Sequence, residues 1–329
     1  MALGLFDESR GGRTMLGHGG DTAAFHALMQ IHPGERIGVV VAMNGNGNDG
    51  LASSQLRNAV LDGFTDRYVP GPERAAPQEP APGAEERVAA AAGRYESARA
   101  SFSTFVGAAN LLGQVTVTPG PDGTLISSPG VGRAGPTAYR EIRPWVWQEI
   151  GGEQVLAARH DGDRVTAIGA ESAFTLLRAA PLRDAAIVLP VLVGALVALV
   201  AGLAAWPVGA LARRRYGVAA AGTGRADRAA IGLTRLATGC AVLAAAAWSA
   251  TVLAVMGLAD PPRPLLYAVL AAQWVATGGV LAAAVALVTG FRAGVGRARL
   301  AGRVLMLLGL VGVAWVALAF GLLSPDLGY

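Results

Sequence analysis

The strongest candidate for chemistry in this sequence is the short run Gly17–His18–Gly19–Gly20. Histidine is the side chain that most readily gains or loses a proton near neutral pH. A histidine between glycines is nevertheless more often an exposed turn residue, so its context has to decide. That context is Pro33, thirteen positions after Gly20, and then an apolar strand that ends at Asn44.

The composition narrows the chemistry that this chain can do. All 27 basic residues are arginine, so no lysine is present to act as a general base, form a Schiff base or sit in a phosphate-binding loop. The single cysteine, Cys240, lies in an apolar segment, where packing is its expected role.

A metal site is not predicted. His26 and His32, taken with Asp21 or Glu35, fit no strong zinc-ligand spacing. His26 is therefore expected to be an ordinary strand residue, and no cofactor is predicted.

Two other motifs favour structural roles. The run Gly130–Val131–Gly132–Arg133–Ala134–Gly135 has dinucleotide-like spacing, but Pro136 follows it and no helix begins there, so a loop is expected. Trp145 and Trp147 share one face of a predicted strand by period two, which favours a packed sheet face over a ligand surface.

The elements that would position His18 form a first block, residues 1–68. The pattern predicts strands at Met1–Phe6, Ala23–Ile31 and Ile37–Met43, and the β-branched run of the last indicates a buried central strand. Leu51–Tyr68 has helical spacing, and its predicted apolar face contains Leu56, Val60, Leu61 and Phe64.

A linker rich in Pro, Ala and Glu, residues 69–87, separates this block from a second one, residues 88–180. Turns at Pro119–Gly123 and Asp161–Gly162–Asp163 separate short alternating segments, which predicts a small antiparallel β-domain, either a curled sheet or an open barrel.

The remaining region, residues 181–329, is predicted to be a membrane anchor. Each of its four apolar segments approaches or exceeds the roughly 20 residues that a membrane helix needs, and none carries a charge. The absence of charge argues against ion-coupled transport. The predicted spans are 185–206, 237–258, 265–290 and 304–323.

Arginine is concentrated in two loops between these spans, which predicts the orientation of the chain. The positive-inside rule places both loops in the cytoplasm, and the first 180 or so residues and the C-terminus outside. This pattern also accounts for the pI of about 9.7, so nucleic-acid binding is not predicted. The arginines are Arg213, Arg214, Arg215, Arg225, Arg228 and Arg235 in one loop and Arg292, Arg297, Arg299 and Arg303 in the other.

The first block resembles the C-terminal part of the serine β-lactamase and penicillin-binding protein superfamily, especially its class C and esterase-like branch. The resemblance covers about a fifth of the chain. It is carried by Leu3-Gly4-Leu5, His18-Gly19-Gly20-Asp21-Thr22, Phe25, Pro33, Gly38-Val39-Val40-Val41 and Asn44. The block from Gly93 onward and the membrane helices are also similar to segments that follow this domain in several members.

The resemblance implies a multi-domain fold: a partial α/β β-lactamase-like segment, the antiparallel β-domain and four transmembrane helices. It also implies that His18, Gly19, Gly20, Asp21 and Thr22 bind substrate. The Ser-x-x-Lys and Tyr-x-Asn motifs of the family are absent, so no catalytic residue is assigned and the chain is expected to be inactive. The expected partners are the lipid bilayer and an upstream-encoded N-terminal half of the hydrolase.

Two functions remain open from the sequence. The chain is either the membrane-anchored C-terminal portion of a serine hydrolase that acts on amides or esters, or a non-enzymatic, membrane-tethered module that binds or scaffolds an extracytoplasmic partner. No secretory signal peptide is recognisable at Met1–Phe6, which favours a chain begun within a longer protein.

Overall fold

The computed structural model describes residues 3–47, 52–69, 71, 82–131, 135–171, 174–217 and 224–329. These residues form two compact units. The first comprises Met1–Arg99 and Gly113–Ala179, and the second comprises Ala100–Leu112 and Ala180–Tyr329. Most of the predicted linker, and residues 132–134 of the glycine-rich run, lie outside the described residues.

The N-terminal sheet is antiparallel, and its four strands follow chain order. They are β1 (Phe6–Asp7), β2 (Leu16–Asp21), β3 (His26–His32) and β4 (Ile37–Met43). The predicted strand over Met1–Phe6 is wrong for most of its length. Leu3 and Gly4 have positive φ angles of 52° and 93°, which an extended strand does not accommodate.

Strand β4 has the predicted bounds but lies at the edge of the sheet, so the prediction of a central strand is wrong. Its residues alternate between half-buried and exposed, and Val40 is 68% exposed. The outer edge of β4 pairs with no other strand of the described residues. A continuous apolar run does not reveal whether a strand has one neighbour or two.

Helix α1 (Ala52–Tyr68) packs against β3 and β4 through a face that shares only the fully buried Leu61 with the predicted apolar face. Leu56 and Val60 are 56% and 44% exposed. The buried positions follow one another at intervals of four and are mostly polar, and Arg57 and Thr65 among them bond to groups of the sheet. They are Ser53, Arg57, Leu61 and Thr65.

The second block is a closed antiparallel barrel of eight strands, in the order β10-β11-β12-β5-β6-β7-β8-β9. Pairing of β9 with β10 closes it, so no strand of the barrel is left with an open edge. The strands are β5 (Gly93–Ser97), β6 (Val115–Pro119), β7 (Leu125–Ser128), β8 (Thr137–Arg143), β9 (Val146–Glu149), β10 (Val155–Asp161), β11 (Arg164–Glu171) and β12 (Phe174–Arg178).

Side chains fill the interior of the barrel. Tyr95, Tyr139 and Trp147 are fully buried among aliphatic residues from the surrounding strands. Helix α2 (Ala84–Ala91) contributes Val88 and Ala91 to the same core. An eight-stranded barrel is just wide enough for side chains to fill it, and here they do.

The second unit contains four helices that are long and apolar enough to cross a membrane. The shortest has 23 residues, which corresponds to about 35 Å at a rise of 1.5 Å per residue. The helices extend beyond the predicted spans at their arginine-rich ends. They are α3 (Ala185–Tyr216), α4 (Arg225–Met256), α5 (Arg263–Arg292) and α6 (Arg297–Ala319).

Small residues allow these helices to pack closely. Gly279 of α5 faces Ala237 of α4, and Gly309 of α6 lies against Leu199 of α3, so an added Cβ at either glycine would clash. Such contacts are typical of helices that associate within a bilayer. Residues 100–112 pack with this unit, and Phe105 stacks on Trp248 with ring centroids 5.0 Å apart.

An ion pair joins three helices at the arginine-rich end of the bundle. The Arg303 guanidinium of α6 donates to the Asp227 carboxylate of α4 at 2.6 Å and 3.1 Å, and the Thr289 hydroxyl of α5 donates to the same carboxylate at 2.7 Å. Asp227 is 3% exposed. A charge buried this deeply is strongly destabilising unless an opposite charge and hydrogen bonds accompany it.

We predict that Asp227→Ala destabilises the bundle by about 3–5 kcal/mol, because it leaves a buried guanidinium without its carboxylate. The double variant Asp227→Ala/Arg303→Met is expected to recover part of this loss, since it removes both charges. Thermal unfolding of the full chain in detergent micelles measures both effects. A single variant as stable as the unchanged protein would contradict the prediction.

Candidate functional site

The five residues from His18 to Thr22 lie along β2 and the turn that follows it. His18 is exposed and stacks on Phe6 of β1, with ring centroids 5.1 Å apart. Gly19 and Gly20 pair with residues of β3, and the Thr22 hydroxyl donates to the Phe25 carbonyl to close the turn. Among the described residues, Asp21 is the one of the five whose side chain bonds other side chains.

Asp21 belongs to a polar cluster with His26, Asn46 and Arg57. The Asp21 carboxylate accepts hydrogen bonds from His26 Nδ1 and from the Arg57 guanidinium, each at 2.7 Å. Nε2 of His26 lies 2.6 Å from the Asn46 side-chain oxygen. Arg57 also donates to the Ala27 carbonyl at 2.8 Å, so the cluster ties α1 to the β2–β3 hairpin.

The cluster favours the protonated form of His26. The Asn46 amide donates to the Ala23 carbonyl at 3.1 Å, which turns its oxygen toward His26. Both imidazole nitrogens therefore face acceptors, and both must carry protons to satisfy them. The hydrogen bonds to Asn46 and then to Asp21 raise the pKa of His26 above its ordinary value of 6.5. This histidine has no free lone pair with which to accept a proton.

His32, at the other end of β3, is in the opposite state. Its side chain is fully buried, and neither ring nitrogen has a hydrogen-bond partner among the described residues. Burial lowers the pKa of His32 below its ordinary value. The imidazole is therefore neutral at pH 7, and its place in the core is a packing role. Among the described residues, no group of three His, Cys, Asp or Glu side chains could hold a metal ion.

The barrel presents a different kind of site, centred on Trp145. The predicted strand over Tyr139–Ile150 is instead a hairpin of β8 and β9, because Trp145 has a positive φ of 65° and turns the chain. The prediction of one continuous strand is therefore wrong, but the two rings are in edge-to-face contact, with centroids 6.3 Å apart, and Trp145 packs against the barrel core, as the predicted packing role requires. Trp147 is fully buried in the core, whereas Trp145 is half-buried.

Hydrogen bonds on both sides hold Trp145 in this unusual conformation. Its N–H donates to a Glu141 carboxylate oxygen at 2.9 Å, and its carbonyl accepts from the Ala158 N–H at 2.9 Å. A bulky residue rarely adopts positive φ, and such residues persist where the surroundings enforce them, often at functional sites.

Glu141 is itself fixed by a buried ion pair. Its side chain is fully buried, and the Arg87 guanidinium of α2 donates to its two carboxylate oxygens at 2.7 Å and 2.6 Å. This bidentate arrangement is a strong form of hydrogen bond, and it raises the pKa of Arg87. The turn at Trp145 is thereby connected to the helix that fills one part of the barrel.

Trp145 and His160 form an aromatic platform at the surface of the barrel. Their rings are stacked, with centroids 4.3 Å apart and planes inclined by 21°. His160 is exposed, and its Nδ1 lies 2.9 Å from the Gly162 carbonyl. In the neutral ring Nδ1 must carry the proton to donate here, which leaves Nε2 able to accept a hydrogen bond. The platform thus combines an apolar ring face with a polar group.

The sequence did not predict the side-chain partners of Asp21. Arg57 and Asn46 lie far from Asp21 in the sequence, and nothing in their local pattern indicates the contact. The turn at Trp145 did have a signal, since the preceding Pro144 is a residue that commonly interrupts strands.

The comparisons with known proteins identify no family. No family model matches the chain, and no curated protein matches it. Among solved structures, crystal structures of SurE, free and with D-Leu, match with 15% identity and a TM-score of 0.29. The matches cover 54% of this chain and 37% and 38% of the SurE chains. A TM-score this low does not establish a common fold.

The expected resemblance to β-lactamases and penicillin-binding proteins is therefore wrong. No family model and no curated protein matches, and no comparison points to a β-lactamase-like serine hydrolase. The pattern that carried it was a short hairpin followed by a helix, which is common to many antiparallel sheets. The substrate-binding role of His18, Gly19, Gly20, Asp21 and Thr22 rested on that resemblance and loses its basis, as does the expected N-terminal hydrolase half.

The two histidines of β3 predict opposite dependences of stability on pH. The raised pKa of His26 gives stability that is full below 6.5 and is lost as pH rises through the folded-state value. The lowered pKa of His32 gives stability that is full above 6.5 and is lost as pH falls through its folded-state value. We expect His26→Gln to remove the loss of stability that occurs as pH rises above 6.5. We expect His32→Leu to remove the loss of stability that occurs as pH falls below 6.5.

Hydrogen exchange of peptides from β2 and β3 in the full chain, corrected for the intrinsic rate, measures this dependence between pH 5 and 8. The exposed His18→Gln variant is the control and is expected to keep the profile of the unchanged protein. Identical profiles for His26→Gln and His32→Leu would contradict the assignment.

Proposed function

We propose that this chain is a non-enzymatic, membrane-anchored module whose barrel binds an extracytoplasmic ligand. In this proposal the four helices anchor the chain, and the sheet and barrel lie on the outer side of the membrane. The observation that carries the binding role is the conformation of Trp145, which a buried ion pair enforces and which places its ring against His160.

The distribution of arginine supports this orientation. Ten arginines lie at the ends where α3 and α5 finish and α4 and α6 begin, between Arg213 and Arg303. At the opposite ends, the short connection between α4 and α5 has Arg263 with Asp260, and the tail after α6 has no basic residue. An excess of arginine marks the cytoplasmic side of membrane proteins.

The filled barrel supports binding at its outer surface. Its core is occupied by Tyr95, Tyr139 and Trp147 together with two residues of α2. A ligand of the barrel then has to contact its rim or its outer face. The turns that carry Trp145 and His160 come at the same end of neighbouring hairpins, because β9 and β10 are antiparallel partners.

The platform fits a ligand with flat apolar faces and polar edges. His160 covers one face of the half-buried Trp145 ring, so a ligand would contact the outer face of the exposed His160 and the exposed part of Trp145. His160 Nε2 and the exposed residue Arg143, two positions before Trp145, offer polar groups. Sugar rings have this combination of features. We therefore assign the ligand to the class of cell-wall glycans, which are found on the proposed outer side of the membrane.

The test is cosedimentation of the full chain, in detergent micelles, with insoluble cell-wall glycan. We expect Trp145→Ala to lower the affinity about five-fold, the size of effect typical of losing one aromatic stacking partner. Phe174→Ala is the matched control, since Phe174 is an exposed aromatic residue on β12 that stacks with the Arg99 guanidinium in the same barrel. It is expected to bind as the unchanged protein does.

Two outcomes would overturn this proposal. One is that the unchanged protein fails to sediment with the glycan. The other is that Trp145→Ala and Phe174→Ala lose affinity equally, which would indicate nonspecific adhesion of the barrel.

A further inference from the structure

We propose that the groove between α3 and α4 binds the phosphate of an anionic phospholipid through Arg213, Arg228 and Arg235. This inference rests on the anchoring part of the proposed function, namely that the helices cross a membrane. It is independent of the ligand of the barrel.

The contact that locates the site is between Trp206 of α3 and Arg235 of α4. The Arg235 guanidinium lies 5.1 Å from the centroid of the Trp206 ring, within the range of a cation–π interaction. Trp206 is the last residue of the first apolar segment, and Arg235 precedes the second by two residues. Tryptophan and arginine at these positions are typical of the boundary between acyl chains and headgroups.

From this contact, helix geometry gives the positions of two further arginines along the axes of α3 and α4. Because α3 and α4 run in opposite directions, seven residues forward in α3 and seven residues back in α4 move by the same distance, about 10 Å. They lead from Trp206 to Arg213 and from Arg235 to Arg228. A step of seven residues also returns to the same face of a helix, so both arginines border the groove that Trp206 and Arg235 begin.

The side chain of Arg213 folds back toward Trp206. One of its terminal nitrogens lies 3.4 Å from the place where a Cβ of Gly209 would stand, one turn closer to Trp206. Gly209 and Trp206 are three residues apart and lie on neighbouring parts of one face. The Arg213 guanidinium therefore lies one turn from the contact between Trp206 and Arg235.

Among the described residues, no atom covers α4 at Gly232, which is exposed. Gly232 of α4 is three residues from Arg235, at the level of Gly209 on α3. A Cβ added at Gly232 would meet nothing within 4 Å. Two glycines at one level of facing helices leave space beside the backbone, and the exposed Leu233 and Leu236 of α4 flank it with apolar surface.

Arg213, Arg228 and Arg235 concentrate positive charge where α3 ends and α4 begins. Like charges held close together at the edge of a low-dielectric region repel each other strongly. Among the described residues, Arg213, Arg228 and Arg235 have no carboxylate partner in an ion pair. The one acidic residue in this part of the chain, Asp227, is engaged by Arg303 and Thr289. Guanidinium groups bind phosphate oxygens in pairs of parallel hydrogen bonds, which makes phosphate a fitting counter-ion.

The depth of the site favours a lipid as the source of the phosphate. Trp206 and Arg235 border apolar helix surface on the side toward the middle of the bundle, where a free ion would lose its hydration. A phospholipid brings its phosphate to this level and covers the neighbouring leucines with its acyl chains. The inference therefore commits to an anionic phospholipid rather than to inorganic phosphate.

Native mass spectrometry of the delipidated full chain in detergent micelles provides the test. Phosphatidylglycerol, phosphatidylcholine and inorganic phosphate are added separately, and the bound adducts are counted as a function of concentration. We expect phosphatidylglycerol to bind in a saturable manner. Arg213→Gln/Arg235→Gln is expected to lower its affinity about 30-fold, the combined effect of two arginines at an anionic surface.

The matched control is Arg214→Gln/Arg215→Gln, which removes the same charge from the same helix end but from other faces of α3. It is expected to keep the affinity of the unchanged protein within about two-fold, since neither side chain borders the groove. The proposal is overturned if both double variants lose affinity equally, which would indicate diffuse attraction only. It is also overturned if phosphatidylcholine binds as well as phosphatidylglycerol, or if inorganic phosphate competes at equal concentration. None of these outcomes bears on binding of glycan by the barrel.

Discussion

The surface of the barrel depends on the buried carboxylate of Glu141. A charge without access to water is costly unless its oxygens are bonded, and here Arg87 of α2 and the N–H of Trp145 supply the bonds. These bonds constrain the groups that donate them as well as the carboxylate. The carboxylate keeps α2 in the barrel core, and it keeps Trp145 in a backbone conformation that an unconstrained strand would abandon. The stack of Trp145 on His160 is thus a consequence of an ion pair formed inside the domain.

The same pairing of a carboxylate with a guanidinium recurs in each part of the chain. Asp21 with Arg57 joins α1 to the sheet, and Asp227 with Arg303 joins the helices of the bundle. Because the chain has no lysine, every such cation is planar and can donate two parallel bonds. Arg213 and Arg235 differ from these arginines, because they are exposed and have no carboxylate partner among the described residues.

Residue pattern predicts the elements of this chain better than their partners. The four apolar helices follow from segment length alone, and the Asp161–Gly162–Asp163 hairpin follows from its turn. The sequence could not show that β4 lies at an edge, because pairing partners are a property of the whole sheet. It also could not show that α1 buries Arg57 rather than Leu56, because that choice depends on Asp21 and on the Ala27 carbonyl. Closure of the barrel likewise depends on β9 meeting β10, a contact that no local pattern records.

Exposed apolar residues have different consequences in the two units. On α4, Leu233 and Leu236 are exposed at little cost if acyl chains surround them, whereas Val40 of β4 and Leu56 of α1 face water. The sheet also has an open edge, so its own apolar contacts are an incomplete source of stability. Arg13 provides further stabilising contacts, because it connects the sheet to α1 and to the barrel. Its guanidinium, 11% exposed, donates to the Val69 carbonyl at the end of α1 and to both Glu153 oxygens in the barrel. The sheet is therefore held in place by buried polar contacts rather than by a core of its own.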